Sequence, residues 1–185
     1  MSVRCFVAVD IEGPDLLDSL VRAQDLLRGT GADLKAVERE NIHLTMRFLG
    51  DVREGSLEEL KGVVSEVDFE PIRAELRGLG AFPSLRRPRV VWVGLTKGAD
   101  ELAEVFRRLE SGLLGLGFKP EGRGFSPHIT LARVRSGRNR ESLAEQVSRN
   151  ADEEFGEFTV RYIRLKKSVL TPKGPIYSTI AQSGN

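Results

Sequence analysis

The chain has 185 residues, 40% of them hydrophobic and 30% charged, enough for one domain or two intimately packed lobes. Lys plus Arg number 28 against 27 Asp plus Glu, so the formal net charge of +1 excludes a polyanion-binding field spread over the whole surface. A single cysteine, Cys5, excludes an internal disulfide, and no apolar run reaches the ~18 residues that a membrane span needs.

Residues 4–9, Arg-Cys-Phe-Val-Ala-Val, read as a first strand in which Cys5 is a buried, inert thiol. No signal-peptide pattern precedes that strand, and the expected location is cytoplasmic. Gly13-Pro14 opens a helix whose stripe is Leu16, Leu20, Ala23 and Leu27, and Gly29 and Gly31 stop it. A strand over 42–49 closes at Gly50-Asp51. Residues 56–59, Ser-Leu-Glu-Glu, have the capping-box form and lead into a second helix through Leu60, Val64 and Val67. Strands over 72–79 and 89–95 flank a proline-rich loop at 82–88. A third helix carries Leu102, Val105, Phe106, Leu109 and Leu113. The glycine-loosened loop 119–126 then delivers the chain to a strand beginning at Pro127. Asn139 caps a fourth helix through Leu143 and Val147, and three strands follow over 157–165, 168–170 and 176–180, the last pair joined by the turn 172–175. Four helices among about eight strands suggest an α+β fold. The order of elements hints at two similar lobes related by a pseudo-twofold.

Both of the chain's histidines, His43 and His128, are followed by one apolar residue, a threonine and another apolar residue. Seven threonines in 185 residues make that coincidence a matter of about one in seven hundred. On a strand, residues i, i+2 and i+4 share a face, so alternation puts His43, Thr45 and Arg47 together and sends Leu44, Met46 and Phe48 to the core. His128 and Thr130 pair in the same way. Two imidazoles with adjacent hydroxyls suit in-line displacement at phosphorus, one ring taking a proton from water and the other giving one to the departing oxygen. The threonines can donate hydrogen bonds to non-bridging oxygens, and Arg47 can add a charged contact. A strained cyclic phosphodiester fits such equipment. Metal chemistry lacks a ligand pattern here, since there is no His-x-Glu, Cys-x-x-Cys or Asp-x-Asp cluster. No metal and no cofactor is expected.

The two His-x-Thr-x motifs resemble those of the two-histidine phosphoesterase superfamily, and more closely the RNA 2′,3′-cyclic phosphodiesterases, also called 2′-5′ RNA ligases. The likeness takes in residues 4–9, 43–50, Phe82-Pro83, 87–94, 126–133 and 174–177, and so covers essentially the whole chain. It implies a single bilobal domain over 1–185, with two pseudo-symmetric lobes, each an antiparallel sheet and two helices, and an active-site cleft between them. It also implies metal-independent opening of a 2′,3′-cyclic phosphate to a 2′-phosphomonoester. By that likeness His43 is the proton donor to the leaving 3′ oxygen and His128 the proton acceptor; the residues themselves are symmetrical between those roles. Ligation of a cyclic-phosphate end to a 5′-hydroxyl through the same site, and a non-catalytic RNA-binding module, are the alternatives.

The expected partners are RNA ends or small nucleotides bearing a 2′,3′-cyclic phosphate, with no membrane contact and a monomeric protein. Lys119, Arg123, Arg133, Arg135, Arg138 and Arg140 stand against one acid, Glu121, and Arg86, Arg87 and Arg89 form a second basic group. Either group can hold an RNA backbone or be a solvated surface. Arg133, beside the second histidine, is the favoured contact. Phe125 is a candidate for stacking on a base, whereas alternation assigns Phe48 to the core.

Overall fold

The computed structural model describes residues 1–184. Its strands are β1 (Ser2–Asp10), β2 (Leu34–Ala36), β3 (His43–Arg53), β4 (Ile72–Phe82), β5 (Val90–Leu95), β6 (His128–Val134), β7 (Glu154–Val160), β8 (Arg164–Thr171) and β9 (Gly174–Gln182). Its helices are α1 (Pro14–Arg28), α2 (Leu57–Ser65), α3 (Ala99–Gly115) and α4 (Arg140–Arg149). The strands form one antiparallel sheet in the order β7-β4-β5-β6-β3-β1-β8-β9, with β2 added to β6.

The sheet is two four-stranded halves that meet at a single bridge, Leu44 opposite Ile129. The lobes expected from the sequence are these halves, fused along β3 and β6 rather than separate. Leu44 and Ile129 are each the residue after a histidine, and both are fully buried. The pseudo-twofold therefore passes between the two motifs.

All four helices lie on one face and share one apolar core with the sheet. One of them changes sides. Helix α1 leaves the first half after β1 yet packs on β6, β7 and α4 of the second. Helix α3 touches β4 of its own half and lies against α2, which packs on β8 and β9 of the first. The first half thus covers part of the second, and the opposite face of the sheet is left for the cleft.

The boundaries differ from the sequence reading mainly near the C-terminus. The single strand expected over 157–165 is two: β7 ends at Val160 as the outer strand of the second half, and β8 begins at Arg164 in the first. A run of apolar and β-branched residues does not reveal that the chain changes sheets within it. Helix α2 starts where expected, after a single 3₁₀ turn, but the Ser56 side chain makes no capping bond.

Candidate active site

Strands β3 and β6 set the four motif residues on the face away from the helices. In an antiparallel pair, the residues flanking a bridge oppose each other. The Leu44–Ile129 register accordingly places His43 across from Thr130 and Thr45 across from His128. All four line one cleft of about 500 Å³.

The rings are held alike. His43 Nδ1–H donates to the Asn41 carbonyl at 2.7 Å, and His128 Nδ1–H donates to the Ser126 carbonyl at 2.7 Å. A proton fixed at Nδ1 leaves Nε2 as the atom free to exchange one. His43 Nε2 lies 2.9 Å from the Thr45 hydroxyl. Aromatic rings flank both imidazoles: Phe6 (5.1 Å) and the edge of Tyr177 (5.6 Å) at His43, Phe82 (5.0 Å) and Trp92 (6.2 Å) at His128. Trp92 is seated on Gly80, where a Cβ would come within 2.2 Å of the indole.

Burial pushes His43 below the ordinary imidazole value of 6.5, because a desolvated imidazolium is disfavoured. The Asn41 carbonyl opposes that shift; Lys166 adds to it, Asp10 opposes it, and His128 adds to it. Burial likewise raises the Tyr177 hydroxyl and, with Lys167 opposing, the Cys5 thiol, and Cys5 is 1% exposed as expected of an inert residue.

Beyond the threonines strict alternation fails. On β3, Thr45 pairs with Ala8 but Arg47 pairs with Val7, so Met46 is an extra residue. On β6, Thr130 pairs with Trp92 but Ala132 with Val91, so Leu131 is extra. A bulge of this kind opposes two residues to one and reverses the facing of everything after it. Its presence at the same offset in both motifs brings the fifth residue after each histidine, Phe48 and Arg133, into the cleft. The carbonyl of Leu131 at the second bulge is tied down by the buried Gln24 Nε2 at 2.9 Å, which also donates to the Val37 carbonyl at 2.8 Å.

Two expected contacts are corrected by this geometry. Arg47 does not line the cleft: it points to the helix side, where Nε donates to Glu110 Oε2 at 3.0 Å and Nη1 to Glu121 Oε2 at 3.3 Å. Its remaining donors reach Glu110 Oε1 and the carbonyls of Phe48 and Lys119. Phe125 also lies outside, stacked on Phe106 at 4.7 Å with the rings 4° from parallel. Phe48, assigned by alternation to the core, is instead 64% exposed and forms part of the cleft wall. Arg133 lines the cleft, as do the unanticipated Phe6, Lys35, Asn41 and Tyr177. The signal for the bulge was Arg133 itself, since alternation would have pushed a guanidinium with no partner in sequence into the core.

Among the described residues no three His, Cys, Asp or Glu side chains converge as metal ligands. No described helix is long and apolar enough to cross a membrane.

Residues 17–168 match the family model described as the 2′-5′ RNA ligase superfamily. The chain is 45% identical over 165 residues to a protein of Aeropyrum pernix named RNA 2′,3′-cyclic phosphodiesterase, covering 89% of this chain and 94% of that one. It is 41% identical over 180 residues to a protein of the same name from Methanothermobacter thermautotrophicus, covering 96% of each. Among solved structures, TT0787 of Thermus thermophilus superposes with a TM-score of 0.79 at 30% identity, over 97% of this chain and 96% of that one.

Proposed function

The chain belongs to the 2′-5′ RNA ligase superfamily, and from that premise we propose that it opens 2′,3′-cyclic phosphates at RNA ends to 2′-phosphomonoesters by acid/base catalysis between its two histidines. Cyclic phosphodiesterase activity as such follows from relatives bearing that name over most of the chain. The observation that carries the finer reading is the cross-strand register of two His-x-Thr motifs at one bridge, each imidazole with Nδ1 tied to a carbonyl.

In this reading the cyclic phosphate lies between the two Nε2 atoms. His128 Nε2 takes a proton from the attacking water as its oxygen bonds to phosphorus. His43 Nε2–H gives its proton to the 3′ oxygen as the P–O3′ bond breaks. Thr45 and Thr130 donate to the non-bridging oxygens, where charge accumulates. Burial disfavours protonated His43 in the empty cleft, and the arriving phosphate anion offsets that by standing beside the ring. Proton exchange with solvent restores both rings. Arg133 supplies a positive charge at the cleft wall, and Phe48 offers an exposed aromatic face to the nucleoside. No metal takes part.

The test is incubation in EDTA of the protein with an oligoribonucleotide ending in a 2′,3′-cyclic phosphate, followed by identification of the product end. A 2′-phosphate, lost in His43→Ala and in His128→Ala, is the expected result. A 3′-phosphate exchanges the leaving oxygen and with it the donor and acceptor roles. Dependence on added metal refutes the mechanism. Ligation through the same site is measured in the same assay by supplying a 5′-hydroxyl strand.

A further inference from the structure

The two walls of the cleft are decorated unequally although their backbones are related by a pseudo-twofold. Around His43 the lining gathers the aromatic and apolar groups Phe6, Phe48, Leu170, Pro175 and Tyr177, together with the cations Arg4 and Lys173. On the β6 side the fifth residue is Arg133. In the sheet, Arg133 pairs with Val90 and Val90 with Phe82, so these three share a face and a level across β6, β5 and β4. The Phe82 ring stands edge-on to His128 and begins the loop 83–89.

That loop and α4 enclose a second groove of about 540 Å³, lined by Arg86, Arg87 and Arg140 together with Leu85, Glu141 and Glu145. All three arginines are exposed. Among the described residues none of the three makes an ion pair, which is equally true of the exposed Arg22, Arg53 and Arg161 elsewhere; what distinguishes these three is that they line one groove. Glu145 is occupied by Arg149. Three guanidinium groups therefore face one free carboxylate, Glu141, and the start of α4 adds the positive end of its dipole. Five unpaired donors per guanidinium in one trough suit phosphodiesters, and the net excess is about two charges.

Resting on the cyclic phosphodiesterase reading, we infer that this groove carries the backbone of the RNA strand 5′ to the cyclic phosphate, two phosphates deep. The substrate is then an oligonucleotide end that leaves the catalytic cleft over Arg133 and turns round the end of the sheet that carries Phe82, Val90 and Arg133, past the 83–89 loop, to reach α4 on the helix side. The aromatic rings of the first wall, Phe6, Phe48 and Tyr177, face the terminal nucleoside.

The experiment compares a nucleoside 2′,3′-cyclic phosphate with a 12-residue RNA ending in the same group, using the unmodified protein and the combined Arg86→Gln, Arg87→Gln, Arg140→Gln variant. Two phosphate contacts give a salt slope of about 1.4, so between 50 and 200 mM salt the oligonucleotide's kcat/KM falls about sevenfold more for the unmodified protein than for the variant. The ratio of kcat/KM for oligonucleotide over mononucleotide at 50 mM falls in the variant, through KM, and the corresponding lysine variant restores most of it. Turnover of the mononucleotide reports that the variant is folded. An unaltered ratio and salt slope overturn this assignment and leave the activity standing. Failure of the unmodified protein to open either substrate overturns the activity itself.

Discussion

Replacing Arg47 separates a contact with substrate from a contact that holds the fold. The side chains of Arg47 and Glu110 are 11% and 13% exposed, and the guanidinium meets both carboxylate oxygens, at 3.0 and 3.4 Å. Glu110 also accepts the Glu121 backbone N–H at 3.0 Å, so the pair anchors the segment that runs from α3 to His128. Arg47→Met strands Glu110 in a nearly dry site, and breaking a buried pair from one side costs about 3–5 kcal/mol. For a chain of this size each kcal/mol moves Tm by about 2–4 °C, so a loss of roughly 10 °C is expected. Adding Glu110→Leu removes the stranded charge, and the double variant should be more stable than Arg47→Met alone by at least ~1 kcal/mol. Urea unfolding followed by circular dichroism measures all three proteins. Below the transition, KM for a cyclic phosphate should change less than about twofold, because the side chain is on the far side of the strand from the phosphate. A variant that keeps its stability but raises KM tenfold would show that Arg47 reaches the cleft, and would refute the bulged geometry.

The histidines should each be worth about 10² to 10⁴ in kcat, and the double alanine variant should be little worse than either single one; additive losses would mean separate roles. The profile of kcat/KM against pH should be bell-shaped, since one ring must be protonated and the other neutral. Burial lowers the donor's pKa, so His43 loses its proton at lower pH than an exposed imidazole and the optimum lies correspondingly to the acid side. Tyr177→Ala rehydrates that ring and should move the optimum upward, and a flat or unmoved profile would contradict the pairing. Gly80→Ala places a methyl group 2.2 Å from the Trp92 indole, at a cost of about 1–3 kcal/mol, and displaces the ring toward His128. Trp92 is the chain's one tryptophan, so its emission reports the shift directly, and unchanged emission with unchanged stability would refute the seating.

The repeated His-x-Thr pattern, the helical stripes and the turn residues were legible because each depends on local periodicity. From them came the four helices, nearly all of the strands and the two histidines and two threonines that share the cleft. A single bridge at Leu44 and Ile129 joins residues far apart in the chain, and nothing local encodes it. Nor does local periodicity encode the crossing of α1 to the second half, or the separation of β7 from β8. Those follow from which apolar faces fit together once the chain has collapsed. The bulges after Thr45 and Thr130 reverse the alternation on which the face assignments rested, so Arg47 went to Glu110 and Phe48 came into the cleft. A strand's side-chain period is two residues wherever its pairing is regular, and the sequence determined what followed from that rule. Where pairing admits an extra residue, the choice of face belongs to the neighbouring strands and the helices beneath, and only the tertiary structure decided it.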